Sequence, residues 1–167
     1  MEECLIRFEN VYFHYPDGIT VFSGLDFTLN RGERIGIKGA NGSGKTTFLY
    51  LIMGLLKPQR GKIIIWGKER ETEEDFSELR RRIGFVFQDP DDQLFSPTVE
   101  EDIAFGPLNM GKSVEETEEI VNEVCNKLEI NELKERITSK LSWGQKRLVS
   151  LAGVLAMKPE ILSLIHI

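Results

Sequence analysis

Cysteine is scarce: Cys4 and Cys125 are the only two in 167 residues, and neither has a second Cys or a His at metal-ligand spacing. That excludes a disulfide scaffold and a thiolate zinc site, and leaves two reduced structural thiols. Positive charge is also short. Lys and Arg number 21 against 27 Asp and Glu, a formal net charge of -6, which excludes a basic nucleic-acid module. Long hydrophobic runs are missing too, since 63–66 and 161–165 fall far below the roughly 20 residues needed to cross a bilayer. The first residues, Met1-Glu2-Glu3-Cys4, are acidic where a secretory signal would be basic and then apolar, so a cytoplasmic protein is expected. Repeats and low-complexity segments are absent. What is present, 41% hydrophobic and 29% charged residues, is the composition of a globular domain able to bury a core.

Residues 5–15 are rich in Ile, Phe, Val and Tyr and stop at Pro16-Asp17-Gly18, which predicts a strand and a tight turn. Runs at 25–29 and 34–38 predict two more strands, so the chain opens with antiparallel β character. After Gly44 the period changes. Phe48, Leu49, Leu51, Ile52, Leu55 and Leu56 form a broad apolar helical surface that Pro58 ends, which predicts a largely buried helix. Short β-rich runs follow at 63–66 and 83–87, separated by a polar stretch, 68–82, with no clear core face.

Beyond Thr98 the pattern is helical. Thr98-Val-Glu-Glu101, Ser113-Val-Glu-Glu116 and Ser142-Trp-Gly-Gln145 all have capping-box form, in which a hydroxyl and an acid or amide three residues on satisfy free N–H groups at a helix start. The second helix sets Val114, Val121, Val124, Cys125 and Leu128 at helical spacing, with Glu115, Glu116, Glu118 and Glu119 as a solvated face. The third runs through Leu148, Leu151, Ala152 and Leu155 and ends before Pro159. Residues 161–167 predict a buried strand.

Gly39-Ala40-Asn41-Gly42-Ser43-Gly44-Lys45-Thr46 fits G-x-x-x-x-G-K-[ST] between a predicted strand and a predicted helix. Its glycines permit a loop whose backbone N–H groups all point inward, and the helix beginning near Gly44 adds its positive end to the same spot. Polyphosphate fits there. Asn41, Gly42, Ser43 and Gly44 form the cradle, Lys45 supplies a charge at the β and γ phosphates, the Thr46 hydroxyl is a Mg²⁺ ligand, and Thr47 is placed for the α phosphate. Phosphate binding alone does not separate a kinase, a GTPase and a motor ATPase.

Leu141-Ser142-Trp143-Gly144-Gln145, heading a helix far downstream, resembles the L-S-G-G-Q signature of ATP-binding cassette (ABC) proteins, and Gln88 matches that family's Q-loop glutamine. The segment from Phe87 through Pro107 looks in particular like the ATPases of energy-coupling-factor importers, the cobalt, nickel and vitamin group. The resemblance covers essentially residues 1–161. It implies an α/β fold: a P-loop NTPase (RecA-like) core with an N-terminal antiparallel β subdomain and a helical ABC insert, its C-terminal part missing. In that frame residues 1–88 are the β subdomain and P-loop core, 89–140 the Q-loop exit and helical subdomain, and 141–157 the signature helix. Tyr15 matches the adenine-stacking aromatic, a role that suits a flat ring. Gln88 would reach Mg²⁺ or the attacking water and act with Lys45 in catalysis. Ser142, Gly144 and Gln145 would serve the ATP of a second ATPase subunit, identical or related. A transmembrane transporter subunit is the other implied partner, with Gln93, Leu94 and Phe95 as candidate contacts. Location at the cytoplasmic face of the membrane, only through that partner, follows, and no nucleic acid is implied.

The sequence departs from the family twice. Trp143 stands where Gly is usual, so that its ring could crowd the second subunit. After Ile161 the family continues into an apolar strand ending in Asp-Glu, whereas this sequence reads Leu162-Ser-Leu-Ile-His-Ile167, an in-frame translation of a transposon-end adapter used in sequencing libraries. A non-native tail over 162–167 is therefore expected. The Walker B Asp, its neighbouring Glu and the switch His have no counterpart, His166 included, so the chain as written is expected to bind nucleotide without hydrolysing it. Three other readings compete. A soluble ABC ATPase acting on DNA or ribosomes predicts long insertions and basic faces that do not appear. A small-molecule kinase leaves the segments at Gln88 and Ser142 unexplained. A non-catalytic nucleotide binder predicts affinity without turnover.

Overall fold

A computed structural model describes residues 3–164. Its first strand is β1, Cys4–His14, paired antiparallel on one side with β2, Thr20–Asn30, and on the other with β3, Arg60–Ile65. A short β4, Lys68–Glu69, completes the order β2-β1-β3-β4. Alternation puts Ile6 and Phe8 in the core, and then the register shifts between Phe8 and Val11. A bulge there, with Asn10 at φ +50° and its N–H donating to Asp26 Oδ1 at 2.8 Å, resets the phase so that Val11 and Phe13 point inward instead. Phe8, Phe27 and Phe48 meet edge to face, with ring centroids 4.8 to 6.1 Å apart.

The described residues fall into two compact units that divide between Leu79 and Arg80. The first holds the four-stranded sheet, α1 (Lys45–Ile52) and most of α2 (Glu73–Arg80). The second holds the parallel pair β5 (Ile83–Val86) and β6 (Ile161–Leu164), with α3 (Val99–Asn109), α4 (Val114–Lys127) and α5 (Trp143–Ala156). Its core gathers Val99 and Ile103 from α3, Val121, Val124 and Cys125 from α4, and Val149 and Ala152 from α5. Each fully buried aliphatic side chain of this set stabilises the fold by roughly 1.5–3 kcal/mol. All three predicted capping boxes form, at Thr98, Ser113 and Ser142, with both reciprocal hydrogen bonds in each. No helix of the described residues is long and apolar enough to cross a membrane.

Several sequence expectations are corrected. Residues 34–38 are not a strand: among the described residues no neighbouring strand supplies ladder partners, and Ile35 and Ile37 remain exposed. The helix after Gly44 ends at Ile52, well before Pro58, because Gly54 turns left-handed (φ +68°) and the Leu55 N–H returns to the Tyr50 carbonyl. Leu55 is consequently exposed. The polar stretch 68–82 holds α2, whose core face is only Phe76 and Leu79, one turn apart. Its start is fixed by Thr72 and Asp75, which exchange hydrogen bonds. Val114 is exposed rather than part of the α4 core face. Strand β6 forms but is half exposed, with Leu162 and Leu164 on the open side, while Ile165 and His166 lie outside the described residues.

Candidate phosphate and signature sites

In the first unit the glycine-rich segment runs exposed from Gly39 to Ser43 and turns into α1. Gly44 is the N-cap, at φ +91°, and a Cβ there would lie 2.4 Å from Val21 Cγ1, so both backbone and space require glycine. Gly42 is also left-handed, at φ +79°. The Ser43 N–H closes on the Ala40 carbonyl at 3.1 Å, which curls the loop around its own centre. Lys45 reaches back over it, and its Nζ donates to the carbonyls of Gly39 and Ala40, both at 2.9 Å. The ammonium thus sits over the loop mouth. Asn41 is exposed, and Thr46 follows Lys45 half-buried in the first helical turn.

Thr47 is buried, and its hydroxyl is 2.9 Å from the Tyr15 hydroxyl. Tyr15 lies one residue past β1, not within the strand, and its ring stands edge-on to Phe13 at 5.1 Å. The structure therefore brings Tyr15 onto the first turn of α1, an association across 32 residues that sequence spacing does not disclose. Beside the loop a cavity of about 180 Å³ is walled by Phe22, Phe27, Ile37 and Phe48.

In the second unit Ser142, Trp143 and Gly144 are exposed at the start of α5. Ser142 Oγ accepts from the Gln145 N–H at 3.3 Å, and Gln145 Oε1 accepts from the Ser142 N–H at 3.0 Å. A Cβ on Gly144 would meet nothing within 4 Å, so nothing in this chain's own packing demands glycine there. The Trp143 ring turns along its own helix toward Arg147, whose guanidinium carbon lies 5.3 Å from the ring centroid. Gln88 is exposed two residues beyond β5.

The helix starts differ in charge. α2 opens with Glu73, Glu74 and Asp75, α3 with Glu100, Glu101 and Asp102, and α4 with Glu115 and Glu116. α1 and α5 have no acid in the first turn, and α1 has no side-chain cap either. The positive ends of these two helices are therefore not neutralised, which suits an anion. Sequence reading found both segments but not this contrast, although the absence of acids is visible in the sequence itself.

The second unit also carries a groove of about 400 Å³ between α3, α5 and the segment after β5. Leu94 and Phe95 line it, and Phe95, 64% exposed, stands edge-on to Phe105 at 4.6 Å. Gln93 turns inward instead: its Nε2 donates to the Ser150 carbonyl at 3.0 Å and its Oε1 accepts from the Phe87 N–H at 3.1 Å. Asp102, on the groove wall, accepts from the Ser96 N–H at 3.1 Å. Burial pushes its carboxyl above the ordinary value against the pull of backbone N–H groups at Ser96 and Phe95. Among the described residues no group of three or more His, Cys, Asp or Glu side chains is arranged to hold a metal ion.

Comparison with known proteins locates this geometry. The family model described as ABC transporter matches residues 22–164. The energy-coupling factor transporter ATP-binding protein EcfA of Methanocaldococcus jannaschii is 41% identical over 161 residues, 96% of this chain and 58% of that protein. Its namesake in Methanothermobacter thermautotrophicus is 43% identical over 96% of this chain and 52% of that protein. Among solved structures, cbiO1 from Clostridium perfringens, described as part of the ABC transporter complex cbiONQ, superposes with a TM-score of 0.87. It is 38% identical, over 96% of this chain and 64% of that one. The chain thus spans somewhat over half the length of the curated relatives it matches.

Proposed function

Because the chain belongs to the ABC transporter family, as an ATP-binding subunit of the kind found in energy-coupling-factor transporters, we propose that its full-length protein powers import of a metal ion or vitamin through a membrane transporter. ATP is bound and hydrolysed at the interface of two ATPase subunits at the cytoplasmic face of the membrane. The observation that carries this reading is the pair of acid-free helix starts, one behind the Gly39–Lys45 loop and one behind Ser142.

The phosphate loop binds and orients the polyphosphate of ATP. N–H groups of Asn41, Gly42, Gly44 and Lys45 and the uncapped end of α1 offer donors, the Ser43 N–H being held by the Ala40 carbonyl, and the Lys45 ammonium, resting on the Gly39 and Ala40 carbonyls, is at hand for the β and γ phosphates. Tyr15 stacks on the adenine while its hydroxyl braces Thr47. That contact makes Thr47 a brace first and an α-phosphate donor second. Mg²⁺ fits a loop of this kind, because the Thr46 hydroxyl offers a single oxygen ligand in the first turn of α1, which suits an ion held mostly by water and phosphate oxygens. An ion held there would supply neutralisation of the polyphosphate charge. By the family resemblance, Gln88 would offer its amide to the ion or the attacking water.

Ser142, Gly144 and Gln145 serve the ATP of the second subunit. The open space at Gly144 supports this, since it admits close approach from outside the chain. The apolar groove with Phe95 and Phe105 at its mouth receives a cytoplasmic segment of the transmembrane partner through Leu94 and Phe95. Gln93 supports the groove wall from within.

The test is equilibrium dialysis of radiolabelled ATP against the full-length protein and its Lys45→Met variant, followed by turnover with and without the membrane partner. Affinity is expected to fall at least about tenfold in the variant, a loss of 1.4 kcal/mol or more. Equal affinity would overturn the assignment.

A further inference from the structure

We propose that Arg147 is a positioning residue that fastens the Gln88 segment to the signature helix, so that a displacement of Gln88 is carried to the exposed ring of Trp143. The inference rests on the ATP-binding reading of Gln88 and Ser142 given above.

Positions 143, 146, 147 and 150 recur at three, four and seven residues, so they share one face of α5. That face holds the segment after β5 at successive points. Arg147 Nη1 donates to the Gln88 carbonyl at 2.8 Å and to the Phe87 carbonyl at 3.4 Å. Lys146 Nζ pairs with Asp91 at 2.5 Å, and its side chain is only 15% exposed. The Ser150 carbonyl takes the Gln93 amide, whose oxygen in turn holds the Phe87 N–H. Residues 87–93 are thus strapped along two turns of α5, and the strap grips the backbone at Gln88, leaving the amide side chain for other work.

Arg147 suits this task for a geometric reason. A guanidinium donates hydrogen bonds in its plane and stacks on its face, so it can hold two carbonyls and an indole at once, which an ammonium does less well. Its carbon lies 5.3 Å from the Trp143 ring centroid. Trp143, 61% exposed, is therefore placed by a residue that is itself placed by Gln88. In the place where the family has glycine, this chain has an aromatic reporter on the face offered to the second subunit.

The test follows the Trp143 contribution to emission, taken as the difference between the full-length parent and its Trp143→Phe variant, titrated with Mg·ATP, beside dialysis with radiolabelled ATP. A saturable emission change at the dialysis midpoint is expected. Arg147→Ala should lose most of its amplitude while ATP affinity stays within about twofold. Arg147→Lys, which keeps the charge and N–H donors but not the flat face, should retain part, and it serves as the comparison if Arg147→Ala does not fold. An unchanged amplitude in Arg147→Ala, an amplitude lost only in step with affinity, or bound ATP with no emission change in the parent would each overturn the proposal. Absence of ATP binding in the parent would overturn the nucleotide reading, and this inference with it.

Discussion

The hydroxyls of Tyr15 and Thr47 lie 2.9 Å apart, which joins the turn after β1 to the first turn of the helix behind the phosphate loop. Thr47 is buried, so removing the phenol leaves its hydroxyl without that partner. Tyr15→Phe is expected to destabilise the protein by about 1–2 kcal/mol in urea unfolding, while ATP affinity stays within about threefold because the ring remains. Tyr15→Ala should lose both stability and affinity. A Tyr15→Phe variant as stable as the parent would show that the brace contributes nothing.

Gly144 separates folding from function. A methyl there meets nothing, and alanine is the better helix former by about 0.8–1 kcal/mol. Gly144→Ala should therefore raise the unfolding midpoint or leave it unchanged, while turnover of the full-length protein falls. A fall in stability would contradict the open space, and unchanged turnover would remove Gly144 from the interface between subunits.

Asp102 predicts a pH dependence. Burial raises its carboxyl above 3.8, so the folded state takes up the proton more readily than the unfolded one. The stability this contributes is fully present below the unfolded value and is lost as pH rises through the raised one. The melting-temperature difference, parent minus Asp102→Asn, should accordingly fall as pH rises from about 3 and then level off. A difference that grows with pH would mean that the Ser96 and Phe95 N–H groups outweigh burial.

Phe95 tests the groove. Its ring is largely exposed and packs only on the edge of Phe105 among the aromatic contacts described, so Phe95→Ala should cost no more than about 1.5 kcal/mol. Co-purification of the full-length protein with its membrane partner should drop sharply. Intact co-purification would move the docking surface elsewhere.

The local features were legible in the sequence because their chemistry is local. Each capping box needs only a hydroxyl and an acid or amide three residues apart, and the glycine-rich loop that turns into α1 is spelled out within eight residues. What escaped depends on partners far along the chain. Residues 34–38 have strand composition, yet a strand exists only where another pairs with it. Gly54, not Pro58, is the stop signal that ends α1, because a left-handed glycine ends a helix as firmly as a proline. α2 hid because two apolar residues, Phe76 and Leu79, make too narrow a stripe to stand out from its acids. The Trp143 and Arg147 pair is visible at four-residue spacing, but the Gln88 carbonyl that Arg147 holds is 59 residues away.

The acid-free starts of α1 and α5 are also a clue to how this protein would evolve under the wrong pressure. A carboxylate in the first turn stabilises a helix by about 0.3–1 kcal/mol, and α2, α3 and α4 all have that gain. Selection for heat resistance alone, without ATP, would place Asp or Glu first where they are missing, at positions such as Thr46 or Trp143. The survivors would be sturdier and unable to receive a phosphate. On the proposed reading, the missing acids at these two helix starts are the mark of a working site, and a thermostabilised variant that kept both starts free of acids would be the one worth assaying.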